Sequence, residues 1–492
     1  MKVSQQQMLV RYQPQDPLTT PAVEVRVDSA PTLSNDRISV QDRVETVKPD
    51  SQGNFLCQPG TAEFHQVNTF VIANRTLNVF EKALGHKIPW AFQGDLKIHP
   101  HYDEGFNAFY LRQDHSLNFF DGFDKTLGKT VAGSESLDVV SHETGHAILD
   151  GLRPGLMGWF GSGEAPAFHE SFGDMAAMLT ALQDDGVLDR VCAETGGDLH
   201  KPNVVSRLAE EMSQGINHTY LQGTRPENWV MRDANNDFLY LKPESLPENA
   251  PPEVLASEPH SFSRIFTGAF WDVLSGVSDH FRQQGQDPRQ ALISSRDVMA
   301  RLLARTVELG PNRLNRLSQM GQAMIEADRR YFQSEYADII EKTLQARNLV
   351  PQSSPKSPTF SRGQTPTNLS EADRMLETRQ TGPKLPDDLK AQALWKNDLG
   401  ETFIRYDAIR EVDLDPKTCT DLAASLTVAM DDQGKVFHAL WEPVDETSIE
   451  LARQEVDGCL KSDRGYIAQP GQGREKLIKV PIAYANPVKA KG

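Results

Sequence analysis

The sequence predicts an α+β protein with a large mixed domain followed by a small C-terminal one. Apolar residues recur at helical spacing in segments at 61–84, about 137–150, 165–182 and about 287–341, and short apolar segments between 96 and 120 are typical of strands. A stretch rich in proline and small polar residues then precedes a second set of strand and helix patterns. The predicted units are an N-terminal extended or β segment at 1–60, a main domain at 61–350, a linker at 351–372 and a C-terminal α+β domain at 373–492.

Length and charge narrow the classes of protein that fit. The chain has 492 residues, which is more than one average domain, and its net charge is −17, from 68 acidic and 51 basic residues. Such an acidic surface argues against nucleic acid or an anionic membrane as the main partner. The N-terminus lacks the apolar core of a signal peptide, and no window reaches the roughly 18 apolar residues of a membrane span. We therefore expect a cytoplasmic protein, or one exported without a recognisable signal peptide, in an oligomeric state that the sequence does not define.

Elements before residue 137 are predicted mainly from periodicity. Apolar and charged residues alternate from Val23 to Val27, which is the pattern of one strand. Residues 61–84 form a strong helix pattern, and Gly85 is a suitable end for it. Residues 96–98, 106–110 and 117–120 are strand candidates. An exposed strand at 106–110 could bind an extended peptide through its backbone, although an interior strand is the simpler interpretation of that segment alone.

The most informative stretch is the motif H-E-x-x-H at 142–146. It lies in a helical run from about 137 to 150 that Gly151 and Pro154 would end. Residues four apart share a helix face, so His142 and His146 can offer their imidazoles to one zinc ion. Glu143 lies about 100° around the helix, where it can reach a water on the metal and take its proton. The alternative is a solvated helix that carries two histidines by chance.

A second helix, predicted from 165 to 182, carries Glu170 and Asp174 on one face. Glu170 is the predicted third ligand of a His/His/Glu zinc site whose fourth position is left for water. Asp174 is placed to accept the free ring N–H of a ligand histidine and so fix its tautomer. Glu164, in a Gly-Ser-Gly-Glu turn before the helix, is a competing third ligand. An ordinary amphipathic helix with two exposed acids is the plain alternative.

The remaining patterns are less specific. Residues 196–258 are rich in loop signals, and helical patterns dominate from about 287 to 341. In the C-terminal domain, 426–430 and 436–441 predict a hairpin around Asp431 to Gly434. A helix at 449–460 and a strand at 477–484 are expected to follow it. No residue in this domain suggests chemistry, so its role stays open.

Taken together, these motifs resemble those of the thermolysin-like zinc metallopeptidases, a gluzincin family. The likeness covers about residues 61 to 345, and its motifs occur in the order that the family shows. The matching segments are Asn107-Ala108-Phe109-Tyr110, Asp138 to His146, Arg232, His260 to Ile265, and Glu170 with Asp174.

The resemblance implies a fold, an activity and further site residues. It implies a β-rich N-terminal lobe and a helical C-terminal lobe with the zinc helix between them. It implies a zinc endopeptidase that acts on peptides or proteins. His260 would stabilise the oxyanion, Arg232 would hold the substrate carbonyl, and Asn107 and Ala108 would bind the substrate as an extended strand.

The sequence also departs from the family. No tyrosine lies between His146 and Glu170, so the family's tyrosine donor to the oxyanion has no counterpart there. Asp138 matches a calcium ligand, but Ala181 stands where the family has a calcium-binding glutamate, so calcium is only partly supported. Leu149 and Leu152 occupy the glycine and third-histidine positions that a metzincin needs. The exopeptidase motif of the related aminopeptidases is also missing, which favours an endopeptidase.

A function of another class competes with this interpretation. The chain could be a zinc-bearing protein without proteolytic activity whose C-terminal domain carries the interaction. The missing tyrosine favours this alternative. Glu143 opposes it, because a structural zinc site needs no general base and usually fills its fourth position.

Overall fold

The protein is a mixed α+β molecule, as the sequence predicts. The computed structural model describes residues 7–28, 32–158, 164–349, 357–446, 448–453, 466–470 and 475–479. The strands are β1 Gln7–Tyr12, β2 Val23–Asp28, β3 Ile38–Val40, β4 Leu96–Glu104, β5 Ala108–Leu111, β6 Ser116–Asp124, β7 Lys129–Ala132, β8 Arg207–Leu208, β9 Arg232–Asp233, β10 Thr359–Phe360, β11 Arg379–Thr381, β12 Lys390–Lys396, β13 Thr402–Asp413, β14 Thr418–Met430, β15 Val436–Glu442, β16 Tyr466–Pro470 and β17 Glu475–Lys479. The α-helices are α1 Ala62–Leu84, α2 Leu137–Leu152, α3 Gly155–Gly158, α4 Glu164–Ala181, α5 Asp185–Thr195, α6 Glu210–Thr219, α7 Pro259–Gln283, α8 Pro288–Leu309, α9 Leu317–Tyr331, α10 Ala337–Ala346 and α11 Leu369–Met375.

A five-stranded sheet forms the β-rich part of the main domain. Its strand order is β3-β4-β6-β5, and β7 also pairs with β6, beyond the end of β5. β3, β4 and β6 run parallel, while β5 and β7 run antiparallel to β6. Within the described chain, β5 pairs with β6 alone and is therefore an edge strand. The predicted strand at 106–110 thus lies at the edge of its sheet rather than in its interior.

α1 is the first long helix, and its ends follow from local chemistry. The Thr61 hydroxyl accepts the Phe64 N–H, and Gly85 adopts the left-handed conformation with φ of 70°. The apolar residues of α1 pack into the central core against the sheet and against α2 and α8. The predicted helix at 61–84 is therefore confirmed almost to the residue.

Of the two predicted stop signals, Gly151 does not end α2, which continues through Leu152 and stops two residues before Pro154. A Cβ at position 151 would lie 2.0 Å from the carbonyl oxygen of Pro89. The glycine is needed because another backbone approaches the helix at this point, and not as a stop signal.

Three further sequence predictions can be compared with the structure. Residues 196–258 are loop-rich as predicted, although the helix α6 and the short strands β8 and β9 also lie among them. Glu164 is in the first turn of α4 rather than in a turn before it. The first 60 residues hold β1 and β3 besides the predicted strand, and β1 pairs with β2 as an antiparallel hairpin.

After residue 357 the chain builds a second sheet, in the order β12-β13-β14-β17-β16 with β15 on β14. β14 and β15 form the predicted hairpin, and its turn ends at Gly434 with φ of 74°. The sheet has an apolar cluster of its own, to which Tyr406, Leu426 and Trp441 belong. In the predicted helix at 449–460, residues 449–453 are helical and 454–460 lie outside the described residues. The strand expected at 477–484 is β17, and residues 480–484 are not described.

The expected linker at 351–372 overlaps regular structure. Residues 351–356 lie outside the described part, but β10 pairs with β11, and α11 begins at Leu369. The expected boundary at 372 therefore falls inside a helix. Among the described residues, no helix is long and apolar enough to cross a membrane.

Candidate metal centre

The centre is built on α2, where His142 and His146 lie on one face, one turn apart. Both side chains are buried, and their ring centroids are 4.7 Å apart with the ring planes at 88°. This geometry follows from the helix itself, because a spacing of four residues places both rings over the same turn.

α4 supplies the third group. Glu170 Oε2 lies 3.3 Å from His142 Nε2, and Glu170 Oε1 lies 3.5 Å from His146 Nε2. One donor atom from each of these three residues falls within 4.8 Å of the others, and all three residues are buried. The structure thus brings together the two histidines and the carboxylate that the sequence predicts as ligands.

Two glycines allow α2 and α4 to approach closely enough for this arrangement. A Cβ on Gly145 would lie 3.1 Å from the Cα of Gly173. A Cβ on Gly173 would lie 2.6 Å from both Cε1 and Nδ1 of His142. The His142 ring therefore rests on the bare backbone of Gly173, which fixes its position between the helices.

Asp174 holds the other nitrogen of the His142 ring, with Oδ1 3.0 Å from Nδ1. A carboxylate only accepts, so Nδ1 carries a proton, and in the neutral ring the lone pair of Nε2 faces Glu170 and His146. The Thr267 hydroxyl donates to Asp174 Oδ2 at 3.4 Å. The side chain of Asp174 therefore lies where the sequence expected it.

Arg232 and His260 reach the centre from β9 and α7. Nη1 of Arg232 lies 3.1 Å from both Glu170 Oε2 and Asp174 Oδ1, so its charge offsets two buried carboxylates. His260 Nε2 lies 3.4 Å from Glu170 Oε2. Glu258, which caps α7 by accepting the Ser261 N–H, also bonds Nδ1 of His260.

Glu258 and His169 are neighbours of the centre that sequence reasoning missed. His169 Nδ1 lies 3.3 Å from His146 Nδ1, on the side of the ring away from Glu170. Burial, and then the nearby His146, hold the pKa of His169 well below its usual value, so His169 is a neutral partner. Its place beside Glu170 in the sequence, and the spacing of Glu258 from His260, were the available signals.

The electrostatics of the centre are dominated by buried carboxylates. Burial and Arg232 lower the pKa of His142, but Asp174 and Glu170 outweigh them and raise it to about 9. Burial would raise the pKa of Glu170, but His260 and the two helix histidines hold it well below its usual range. The pKa of His260 is raised because Glu170 and Glu258 outweigh the effect of its burial. The negative charge of Glu170 thus stabilises the protonated form of both His142 and His260.

Glu143 lies on the same helix but not among the three donor groups. Its Oε2 atom is buried and, within the described chain, accepts no hydrogen bond. A carboxylate oxygen buried in this way is costly unless it has a function or an unseen partner. Glu143 also lines the same cleft as His142, His146 and Glu170, and a base for a reacting water would be needed in that cleft.

The cleft has an empty volume of about 570 Å³, part of which is open to solvent. Asn107 and Ala108, at the start of edge strand β5, form part of its wall, and the backbone carbonyl of Asn107 accepts the Phe120 N–H. Val139, Met212 and Met231 add apolar surface. No tyrosine is found among the described residues that line it, so the missing tyrosine has no substitute there.

All predicted site residues line this one cleft: Asn107, Ala108, His142, Glu143, His146, Glu170, Asp174, Arg232 and His260. The competing ligand Glu164 does not. Its carboxylate accepts from the Tyr240 hydroxyl at 2.8 Å and from the Leu317 N–H at 2.6 Å. Asp138 also lines the cleft and accepts the Ala209 N–H, but it joins no group of three metal-donor side chains in the described chain, so the expectation of calcium gains no support.

The residues present suit a metal ion. Two imidazole nitrogens and a carboxylate form the kind of donor set that binds zinc, and one carboxylate orients a ligand histidine. Asp174 is hydrogen-bonded, but the buried Glu170 Oε1 and Glu143 Oε2 atoms lack hydrogen bonds within the described chain. A cation at the centre would offset this excess of negative charge.

Comparison with protein-family models found no match for this chain, and comparison with curated proteins found none either. Among solved structures, the chain is similar to the precursor of protealysin, a metalloproteinase from Serratia proteamaculans. The two are 14% identical, the match covers 64% of this chain and 88% of that one, and the TM-score is 0.40. A likeness this weak carries no argument about fold or activity.

Proposed function

We propose that this protein is a zinc-dependent endopeptidase with a thermolysin-like, two-lobed domain at about 61–350. One observation carries the proposal: three buried metal-donor side chains converge in a cleft where a fourth side chain, Glu143, keeps an unbonded carboxylate oxygen. A solvated helix with two chance histidines would not give this arrangement. The units at 1–60, 351–372 and 373–492 remain part of the proposal, although β3 of the first unit joins the sheet of the main domain and α11 crosses the boundary at 372.

The spacing of the donor atoms favours zinc. Tetrahedral zinc with nitrogen and oxygen ligands at about 2.0–2.2 Å separates its donors by about 3.3–3.6 Å. The distances from Glu170 Oε2 to His142 Nε2, 3.3 Å, and from Glu170 Oε1 to His146 Nε2, 3.5 Å, are close to this spacing. Zinc bound by His142, His146 and Glu170 would supply the Lewis acidity that lets a water lose its proton near pH 7.

Each remaining side chain then has a defined task. Glu143 takes the proton from the attacking water and passes it to the leaving amine. His260, held at Nδ1 by Glu258, donates from Nε2 to the oxygen that becomes negative in the transition state. Arg232 neutralises Glu170 and Asp174 and can donate its remaining N–H groups to the substrate carbonyl.

The wall of the cleft fits an extended peptide. β5 is an edge strand, so a peptide can pair with its backbone beside Asn107 and Ala108. The apolar side chains of Val139, Met212 and Met231 favour an apolar residue next to the cleaved bond. Peptides and proteins are therefore the proposed substrates.

The proposal is tested by incubating the wild-type protein with casein and mapping the cleavage sites. We expect internal cleavage that a chelator abolishes and that added zinc restores. Undiminished cleavage after the metal has been removed, with metal analysis as the check, would refute a zinc enzyme. Release of single terminal residues would refute an endopeptidase.

The absence of a tyrosine from the described cleft wall favours one competing function, a zinc-bearing binding protein without activity. That protein would hold zinc but leave casein intact. Its C-terminal region would then carry the interaction with the partner.

A further inference from the structure

A second pair of histidines meets far from the candidate centre in sequence. His65 lies in the first turns of α1, and His101 lies on β4. Nδ1 of His65 and Nε2 of His101 are 2.9 Å apart, and the two residues are only 6% and 9% exposed. Neither residue lines the cleft described above.

Each of these rings presents its other nitrogen to a carboxylate. Nδ1 of His101 lies 2.8 Å from Asp42 Oδ2, and Nε2 of His65 lies 3.2 Å from Glu135 Oε2. The carboxylates are themselves held in place, Asp42 by the Gln66 amide and Glu135 by the Gly60 N–H.

The hydrogen bonds determine which ring nitrogens carry protons. The nitrogens that face each other, His65 Nδ1 and His101 Nε2, are here called the inner nitrogens. The two that face carboxylates, His65 Nε2 and His101 Nδ1, are called the outer nitrogens. A neutral imidazole has one N–H, and a carboxylate can only accept it. If both outer nitrogens donate, both inner nitrogens carry lone pairs that face each other at 2.9 Å. Two lone pairs repel at that distance unless a proton or a metal ion lies between the rings.

A third donor stands beside the pair. Asp121 on β6 brings a carboxylate oxygen within 4.8 Å of one ring nitrogen of each histidine. Its Oδ1 atom is buried and has no hydrogen-bond partner within the described chain, while Oδ2 is 4.0 Å from Arg43. Three carboxylates thus surround two imidazoles, and the nearby Arg43 side chain is more than half exposed.

We propose that His65 Nδ1, His101 Nε2 and the Asp121 carboxylate bind a second divalent transition-metal ion of the zinc class. Two imidazoles with one carboxylate select such ions over calcium or magnesium, which prefer oxygen. Asp42 and Glu135 orient the two ligand rings, as Asp174 orients His142. The inner nitrogens need to separate by only a few tenths of an ångström to reach the roughly 3.3 Å spacing of zinc ligands.

The role of this ion is structural. Its ligands come from a helix and from two strands of the sheet on which that helix packs, so the ion fastens α1 to β4 and β6. It does not depend on the proposed peptidase activity, because none of its ligands lines the cleft.

The test is the number of zinc ions per full-length chain, measured by mass spectrometry after dialysis against dilute zinc. We expect His101→Gln and Asp121→Asn to bind one ion fewer than wild type, whether or not the first centre is filled. His99→Gln is the matched control, since His99 lies on the same strand but bonds the Gln41 carbonyl, and it should bind as many ions as wild type.

Circular dichroism shows whether each variant folds. If His101→Gln or Asp121→Asn fails to fold, the other variant still gives the result. Equal ion counts in wild type and in either folded variant would overturn the proposal. The His65–His101 contact would then be explained by a shared proton. His142→Ala, by contrast, removes an ion only from the first centre, so failure of the proposed function and failure of this inference give different counts.

Discussion

His142 meets a carboxylate at each ring nitrogen, Asp174 at Nδ1 and Glu170 at Nε2. The first contact sets the tautomer, and the second places the free lone pair where a metal ion would lie. At the scale of single residues, the centre therefore depends on Asp174 although Asp174 is not a ligand. Removal of the Asp174 carboxylate should therefore weaken metal binding without unfolding the protein.

We predict that Asp174→Asn lowers zinc affinity by about 10- to 100-fold, the range found for outer partners of metal ligands. The amide keeps the size of the side chain but loses the charge that draws the proton to Nδ1. Competition with a chromophoric chelator measures the change. Asp279→Asn, which alters a surface aspartate paired with His200, is the control and should bind zinc as wild type does.

Asp16 gives a prediction about pH. It is fully buried, where it accepts from the Leu18 and Glu211 N–H groups and from the Ser136 hydroxyl. Burial, and then Glu211, raise the pKa of its carboxyl to about 7, against about 3.9 in an unfolded chain. Between these values the folded state keeps a proton that the unfolded state has lost. The contribution of Asp16 to stability is therefore present below about pH 4 and is lost as the pH rises to 7.

Asp16→Asn should remove this part of the pH dependence, since the amide resembles the protonated acid. Urea unfolding at pH 5 and pH 7.5 should show wild type losing stability relative to the variant, by at most about 1.4 kcal/mol per pH unit. The exposed Asp36→Asn should behave as wild type does. If the stability difference between Asp16→Asn and wild type is the same at both pH values, Asp16 does not have a raised pKa in the folded state.

Among the helices and strands, the approach of α2 to α4 decides whether the centre can form. It depends on Gly145 and Gly173, whose missing side chains let the His142 ring lie against the α4 backbone. Glycine normally weakens a helix interior by about 1 kcal/mol relative to alanine, so its presence here reflects the packing.

We predict that Gly173→Ala lowers stability by about 1–3 kcal/mol, as overpacking does, and weakens zinc binding at least tenfold because the new methyl displaces His142. Gly276→Ala is a matched control, since its Cβ would meet Ile339 Cγ2 at the same 2.6 Å but far from the centre. The control should lose stability and keep its zinc affinity. Unchanged zinc affinity in Gly173→Ala would show that the ring can adjust.

Elements with strong periodicity were predictable from sequence, and α1, α2 and α4 lie close to their expected bounds. Helix α6 was not predictable, because Gly215 and the polar residues of this helix resemble the loop signals around it. The helix is fixed by burial of Met212 and Ile216 against other elements. The ligands His142 and His146 follow from one helix, whereas the contacts of Glu258 and His169 depend on how helices pack. The local sequence pattern does not predict how helices pack against one another.

Across the whole molecule, the C-terminal sheet is tied to the helical region and not to the cleft. The Glu442 carboxylate accepts the backbone N–H groups of Asn312 and Arg313, both at 2.9 Å. The Trp395 indole donates to Glu308, and Phe403 belongs to the central core cluster. Every described residue that lines the cleft precedes residue 261.

We therefore predict that a chain truncated after residue 350 loses stability but keeps its activity. Removal of Glu442 and Trp395 leaves buried groups without partners, which should cost about 2 kcal/mol or more and lower Tm by several degrees. Activity per folded molecule at a low temperature should stay within about twofold of wild type. A large rise in activity would instead identify the C-terminal region as an inhibitor, and an unchanged Tm would show that its contacts contribute nothing.

The central claim is that Glu143 acts on a water at a zinc ion held by its neighbours. It is tested most directly by comparing wild type with Glu143→Ala for zinc content and casein cleavage in one experiment, with the exposed Glu341→Ala as control. The account predicts equal zinc in all three, and cleavage that falls by about 10²- to 10⁴-fold in Glu143→Ala alone. Equal cleavage by wild type and Glu143→Ala, or zinc-loaded wild type that cleaves nothing, would contradict it.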